Sequence, residues 1–375
     1  MVTNRRQWLK QSSFAALGLG FSLKSLAGED YLPKSFGSDE DLINLGSNEN
    51  PYGISPKAKQ AILDMMGETN RYQFNIASLQ SFKKTIAEHN AVSAEQVMIT
   101  AGSGDGLNLL ARHFSKGNIV TANPTFGVLP NTAKKIGTSV IEIPLTYDKV
   151  HDLDAMQKAI NAETSLVYIC NPANPSSTII KKEALKNFCT EAAKKTVVLI
   201  DEAYVDFLDD PEQESMVGLI EKNPNVLVIK TFSKIHAMAG LRIGFVTGHA
   251  LLIRKIEPDY FQNTQLTVSV LSANAAMASL TDKEHCLQSK LKNAAARKYT
   301  YDELAKMKFR CIPSYTNFLF FKLNNYNGDF ANDMLKKNIL LRSTDYNDGK
   351  WCRVSVGAME EMKQFIAVMK KTFPS

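Results

Sequence analysis

The chain has 375 residues, more than one hydrophobic core usually supports, so two domains are expected. Hydrophobic residues make up 44% and charged residues 22%, a globular balance that excludes a disordered, collagenous or coiled-coil chain. Lys and Arg number 44 against 38 Asp and Glu, a formal charge of +6 that raises a nucleic-acid or anionic-membrane reading, while the five cysteines show no C-x-x-C spacing and argue against a disulfide scaffold or a structural zinc site.

Residues 1–27 read as an export signal and not as part of the fold. The segment Asn4-Arg5-Arg6-Gln7-Trp8-Leu9-Lys10 is basic, and no acidic residue precedes Glu29. A short apolar run from Phe14 to Phe21 follows, then Ser25-Leu26-Ala27-Gly28, where cleavage after Ala27 is expected. Lys24 keeps the apolar run well under the ~20 residues a spanning helix needs. The adjacent arginines before an aromatic, a leucine and a lysine resemble a bacterial twin-arginine signal, which implies an export machinery as partner and a periplasmic or other extracytoplasmic location. Arg5, Arg6, Lys10 and Lys24 all lie here, so removing these four charges from +6 leaves the mature chain at +2. The case for nucleic acid lapses with them.

Seven short, β-branched apolar runs come next, at 97–100, 119–122, 140–143, 166–170, 197–200, 226–229 and 243–246. Helical patterns at 107–114, 183–193 and 215–220 lie between them. Alternation of this kind predicts an α/β domain with a mostly parallel seven-stranded sheet, placed at 64–265. Beyond it the pattern turns helical, with a long helix from 282 to about 307. A hairpin-like region at 317–322 and 352–356 and a final helix from 359 complete a smaller α+β domain, assigned residues 28–63 and 266–375.

Open α/β sheets bind ligands at the carboxyl ends of their strands, so those loops are the candidate site. The first is Ala101-Gly102-Ser103-Gly104-Asp105-Gly106, whose glycines allow close backbone approach and whose following helix offers free N–H groups to an anion. It is G-x-G-x-G and not the dinucleotide G-x-G-x-x-G, and a tight turn without ligand explains it as well. Asn171-Pro172-Ala173-Asn174-Pro175 follows the fourth strand. The fifth ends in Asp201-Glu202-Ala203-Tyr204, a carboxylate on a buried strand that needs a cation or a proton donor beside it. The sixth runs into Thr231-Phe232-Ser233-Lys234, with Arg242 shortly after. Two hydroxyls, an ammonium and a guanidinium form a second anion site facing the first.

A phosphate cradle, a buried acid and a lysine together suit a pyridine aldehyde carrying a phosphate: the lysine forms a Schiff base, the acid keeps the ring nitrogen protonated, and the cradle anchors the group. At this point the sequence resembles the fold-type I pyridoxal-phosphate aminotransferases, in their histidinol-phosphate aminotransferase-like branch. The resemblance runs from about Leu42 to the C-terminus on Asn48-Glu49-Asn50-Pro51-Tyr52-Gly53, Asp201-Glu202-Ala203-Tyr204, Ser233-Lys234 through Ala239-Gly240-Leu241-Arg242, and Arg353-Val354-Ser355-Val356-Gly357. It implies pyridoxal 5′-phosphate as cofactor, an amino donor and a 2-oxo acid acceptor as small-molecule substrates, and a homodimer.

The resemblance also implies roles. Lys234 would carry the cofactor and act as acid and base, Asp201 would meet the pyridinium nitrogen, and Asn174 and Tyr204 the phenolic oxygen. Phe126 would stack on the ring. Ser103 and Gly104, Thr231, Ser233 and Arg242 would hold the phosphate, with Tyr72 reaching it from the partner subunit. Arg353 would bind the substrate's carboxylate or phosphate, with Arg342, Tyr52 and Asn174 nearby. Two places depart from the family pattern: Ser176-Ser177, where Thr-Gly is usual, and Ser103-Gly104, where an Ala-Asp pair is usual.

Three rival readings compete with this one. A decarboxylase or lyase would keep the fold and cofactor and break a different bond at the substrate Cα. A serine hydrolase rests only on Ser81-Phe82-Lys83-Lys84, an S-x-x-K string without its S-D-N or K-T-G partners. A non-catalytic periplasmic binding protein has no use for Lys234 beside Asp201. The six histidines lack metal-ligand spacing, so no metal is expected, and His236 is a candidate for the active-site mouth.

Overall fold

The computed structural model describes residues 42–71, 76–264, 268–324 and 326–373. The expected export signal and Tyr72 lie outside them. From Ile43 onward the chain forms one compact unit.

The chain first lays down a short strand β1 (Ile43–Asn44), then the strands of a large sheet: β2 (Val97–Thr100), β3 (Asn118–Asn123), β4 (Ser139–Pro144), β5 (Thr164–Cys170), β6 (Val197–Asp201), β7 (Val226–Thr231) and β8 (Gly244–Gly248). Their spatial order is β2-β8-β7-β6-β5-β3-β4. The run from β7 through β4 is parallel, and β8 is antiparallel to both of its neighbours. All seven expected runs are strands of this sheet. Side chains alternate across it and both faces are covered, which is why the central strands read as unbroken apolar runs. In β5, Leu166, Tyr168 and Cys170 join one cluster with Leu107, Leu199 and Leu227, while Val167 and Ile169 join another with Leu185, Phe188 and Val228. At the edge, β4 keeps Ser139, Glu142 and Pro144 exposed.

A second core has its own sheet. Strands β9 (Cys311–Ile312), β10 (Phe318–Lys322), β12 (Arg342–Tyr346) and β13 (Gly349–Ser355) assemble antiparallel in the order β12-β13-β10-β9. Behind them, helices Lys283–Lys306 and Met359–Thr372 contribute Ala296, Leu304, Phe365 and Met369 to a cluster with Leu319, Phe321 and Val354. A strand β11 (Ile339–Leu340) pairs in parallel with β1, which brings Leu45 into the same cluster.

Two local features differ from the periodicity. Met216–Leu219 is a single 3-10 turn, with the Ser215 hydroxyl accepting from the Val217 amide at 3.2 Å. Helix Val270–Leu280, assigned to the small domain from its position in the chain, packs Ala275, Ala276 and Leu280 against Val97, Ile99 and Phe245 of the large sheet. An apolar helix carries no mark of which core it covers, so chain order was a poor guide there.

Candidate active site

Parallel strands end at one edge of the sheet, and antiparallel β8 begins there. Thr100 and Thr231 both sit opposite Gly244, and Cys170 sits opposite Asp201. The loops after β2, β3, β5, β6 and β7 therefore meet the segment that carries Arg242 into β8. Side chains more than a hundred residues apart in sequence become neighbours through strand register alone.

At the anion end, Gly102 adopts φ +82°, and the helix Ser103–His113 starts on it with no side-chain cap. The first amides of that helix lack intrahelical acceptors and carry the positive end of its dipole. Arg242 is itself left-handed at φ 52°, and its Nη1 donates to the Ala239 carbonyl at 2.8 Å. A Cβ on Gly102 would stand 2.6 Å from Arg242 Nη2, so the guanidinium lies directly against the loop. The Thr231 hydroxyl donates to Ser233 Oγ at 2.9 Å and accepts from the Ser233 amide at 3.2 Å. The cradle thus combines amides, two hydroxyls and one cation.

Gly244 sets the tightness of this cradle. A Cβ there would lie 2.8 Å from the Ser103 nitrogen and 2.9 Å from both the Gly102 carbonyl carbon and the Lys230 oxygen. All three are backbone atoms and cannot swing aside. Gly244→Ala is expected to cost about 1–3 kcal/mol of stability as overpacking does, and to displace the Gly102-Ser103 amides. Thermal unfolding and titration of the apo-protein with pyridoxal phosphate check it: both melting temperature and affinity should fall.

At the centre, Asp201 is 1% exposed at the end of β6. Its Oδ2 accepts from Tyr168 Oη at 3.0 Å and its Oδ1 from the Ala203 amide at 3.1 Å. Burial pushes its carboxyl up to about 6, against the pull of these two donors and of Lys234. Lys234 Nζ donates to the Ser47 and Asn48 carbonyls at 3.1 and 3.0 Å. Burial first, then the positive charge of Arg353, brings this amine down to about 8. Tyr204 lies beside it, with its ring centroid 5.8 Å from the ammonium. Its hydroxyl accepts from Asn48 Nδ2 at 2.9 Å and Asn174 Nδ2 at 3.3 Å, and burial raises its pKa.

The far wall comes from the small sheet. Arg342 on β12 and Arg353 on β13 are direct cross-strand partners. Like charges in that register repel unless something between them is negative. Arg353 Nη1 donates to Asn174 Oδ1 at 2.8 Å, and its Nη2 shares the Gly46 carbonyl with Arg342 Nε. Together with Thr125, Phe126, Phe320, Tyr346 and Trp351 they line a cavity of about 200 Å³. Two buried donors there, Arg353 Nε and the Thr125 hydroxyl, have no hydrogen-bond partner among the described residues. Such groups are costly unless a ligand completes them.

The structure therefore brings together Lys234, Asp201, Tyr204, Asn174, Arg353 and Arg342, with Ser103, Gly104, Thr231, Ser233 and Arg242 at the anion end and Phe126 on the cavity wall. Tyr52 follows Asn50, whose Nδ2 donates to the Ile235 carbonyl at 2.9 Å, and Lys292 lies 5.2 Å from the Tyr52 ring centroid. His236 does not line this mouth. It is buried with Nδ1 2.8 Å from Ser279 Oγ, beside a separate cavity of about 520 Å³ lined also by His89 and Lys290. Among the described residues no three His, Cys, Asp or Glu side chains are placed to hold a metal ion, and no helix is long and apolar enough to cross a membrane.

Sequence reasoning missed Asn48, Tyr168 and Thr125. Tyr168 had a signal: a phenol in a strand buried on both faces must find an acceptor, and the neighbouring strand ends in a carboxylate. Asn48 had none. Its side chain reaches Tyr204 and Ser355, 156 and 307 residues away, through a left-handed φ of 53°.

The sequence profile of the family "Aminotransferase class I and II" matches residues 40–369, nearly the whole chain. The chain belongs to this family. A histidinol-phosphate aminotransferase of Halalkalibacterium halodurans is 33% identical over 335 residues, covering 88% of this chain and 89% of that one. The structure of a histidinol-phosphate aminotransferase from Sinorhizobium meliloti with pyridoxal 5′-phosphate superposes with a TM-score of 0.78 at 24% identity, over 88% and 90% of the two chains. An L-threonine-O-3-phosphate decarboxylase from Porphyromonas gingivalis shares the fold at 16% identity, with a TM-score of 0.74 over 89% and 100% of the chains. The protein is a pyridoxal-phosphate-dependent aminotransferase of fold type I, acting between an amino and an oxo acid. Its site fits the cofactor, because the cradle offers donors to a phosphate, the buried carboxylate faces the loop that carries Lys234, and the amine is partly neutral near physiological pH.

Proposed function

We propose that this aminotransferase takes an amino donor bearing an anionic group, either an α-carboxylate or the phosphate of a histidinol-phosphate-like amine, and that Lys234 is its catalytic acid and base. The Arg342–Arg353 pair carries the substrate assignment, because these two cross-strand arginines line one cavity beside Asn174.

Pyridoxal phosphate, when bound, supplies an electrophilic aldehyde and a ring that absorbs electron density from the substrate Cα. The chain's own residues do the rest. Asp201 would hold a proton on the ring nitrogen, and Tyr168 keeps that carboxylate oriented. Asn174 and Tyr204 would hydrogen-bond the cofactor's phenolic oxygen, and Phe126 would cover the ring. Ser103, Gly104, Thr231, Ser233 and Arg242 would hold the phosphate, with Tyr72 of a second subunit in a homodimer proposed to join them. Lys234, as a free amine, would be placed to take a proton from the substrate Cα and to return it. A lysine brought down to about 8 can do this near neutral pH.

Cofactor uptake by the apo-protein should show the same group. Only the neutral amine attacks an aldehyde, so the rate is expected to fall about tenfold per pH unit below pH 8 and to level off above it. An unshifted lysine would keep the rate climbing to about pH 10. Stopped-flow absorbance over pH 6 to 11 distinguishes the two.

Residues 1–27 are proposed as a twin-arginine export signal placing the mature enzyme outside the cytoplasm, on the strength of Arg5-Arg6, the short apolar run and Ala27. Half-reaction spectra with a panel of amino acids and histidinol phosphate test the substrate assignment. Conversion by histidinol phosphate alone selects the phosphate reading and broad conversion the carboxylate one, while release of carbon dioxide in place of an oxo acid overturns transamination.

A further inference from the structure

The loop after β4 crosses to the small sheet and grips the back of the substrate cavity. Lys149 sits in that loop at φ 61°, a left-handed conformation that a glycine would adopt without cost. The turn is closed by Thr146 N–H to the Val150 carbonyl and Lys149 N–H to the Thr146 carbonyl, both at 2.9 Å. Strain retained at a lysine calls for a use of its side chain. Lys149 Nζ lies 2.7 Å from Asp348 Oδ2 and 4.7 Å from the ring centroid of Trp351. Asp348 in turn accepts from Trp351 Nε1 at 3.1 Å. Arg310 approaches the same indole at 5.6 Å and stacks at 3.9 Å on Tyr147 of the loop.

Trp351 is fully buried, stacked on Phe320 at 4.7 Å with an interplanar angle of 12°. It lies two residues before Arg353 on β13, so both project from one face of the sheet and both line the cavity. The Lys149 carbonyl accepts from Thr178 Oγ1 at 2.8 Å, tying the same loop to the segment that carries Asn174. One lysine thus joins the two walls between which the substrate would lie.

We propose that Lys149 is a positioning residue for substrate: by clamping the Trp351 ring through its ammonium and through Asp348, it fixes the width of the cavity and the placement of Arg353. The proposal rests on the reading of this cavity as the substrate site. A mere structural brace would act on stability, whereas this clamp acts on substrate affinity with little effect on the chemical step or on the cofactor.

The test uses the full-length holoenzyme with Lys149→Gly, Lys149→Met and Lys149→Arg, each in a Trp8→Phe background so that Trp351 is the sole indole. For Gly and Met the expected result is a rise in KM for the amino donor of about tenfold, the scale of a desolvated cation–π contact with its ion pair. kcat and pyridoxal-phosphate affinity should stay within about twofold, with Trp351 emission shifted to the red and more open to acrylamide quenching. Lys149→Arg should restore KM and emission. Because glycine also relieves the backbone strain, a stable Lys149→Gly protein with unchanged KM overturns the proposal, as does a loss of kcat in proportion to unfolded enzyme. An Arg353→Met control separates the premises: KM rising there but not in Lys149→Gly sinks the clamp alone, whereas KM unmoved in both sinks the cavity assignment and the clamp with it.

Discussion

Lys234→Ala is expected to lower transamination at least about a thousandfold while leaving the protein folded. The loss follows from position. The amine is a basic group set beside Tyr204 at the carboxyl edge of the sheet, and its partners, the Ser47 and Asn48 carbonyls, are neutral groups and not a paired carboxylate. Stability should change little, because burial opposes charge on this lysine and alanine removes that penalty. Single-turnover spectra with excess amino donor give the rate, and circular dichroism gives the fold. A variant keeping turnover within tenfold of the parent would remove Lys234 from the mechanism. Methylamine restoring part of the rate would assign the lost function to proton transfer.

Arg353→Met should produce the second largest effect. The side chain donates to Asn174 and Gly46 and lines the cavity, so its loss removes a substrate anchor and loosens Asn174 from Tyr204. Removing one partner of a buried charged contact costs on the order of a hundredfold in affinity, read as KM for the amino donor. Arg353→Lys should recover only part of it, because an ammonium cannot span Asn174, Gly46 and a planar carboxylate at once. Equal KM values in parent and Met variant would mean that the anion binds elsewhere. The Gly46 carbonyl keeps Arg342 as donor in either variant, so the loop itself should stay in place.

The large sheet was legible because its strands are short, β-branched and buried on both faces, a pattern that few other structures produce. The clustering of Lys234, Asp201 and Tyr204 was legible for a related reason: polar side chains placed immediately after apolar strands have one edge of the sheet to occupy. The packing of helix Val270–Leu280 on β2 and β8 was not legible, since an apolar helix fits either core. Nor was His236, whose place beside Lys234 in sequence suggested the mouth, while the turn after the lysine aims it at Ser279.

Composition and charge mislead at first, because the six net positive charges suggest a polyanion as partner. By itself the sequence determined the strand pattern, the glycine cradle, the buried acid and the lysine, each of which depends on residues adjacent in the chain. Only the tertiary structure decided that Asn48 meets Tyr204, that Tyr168 meets Asp201, that Arg342 faces Arg353, and that Lys149 reaches Trp351. The physical reason is register. A one-residue slip in β12 against β13 would send Arg342 to the opposite face, and no local propensity reports that alignment.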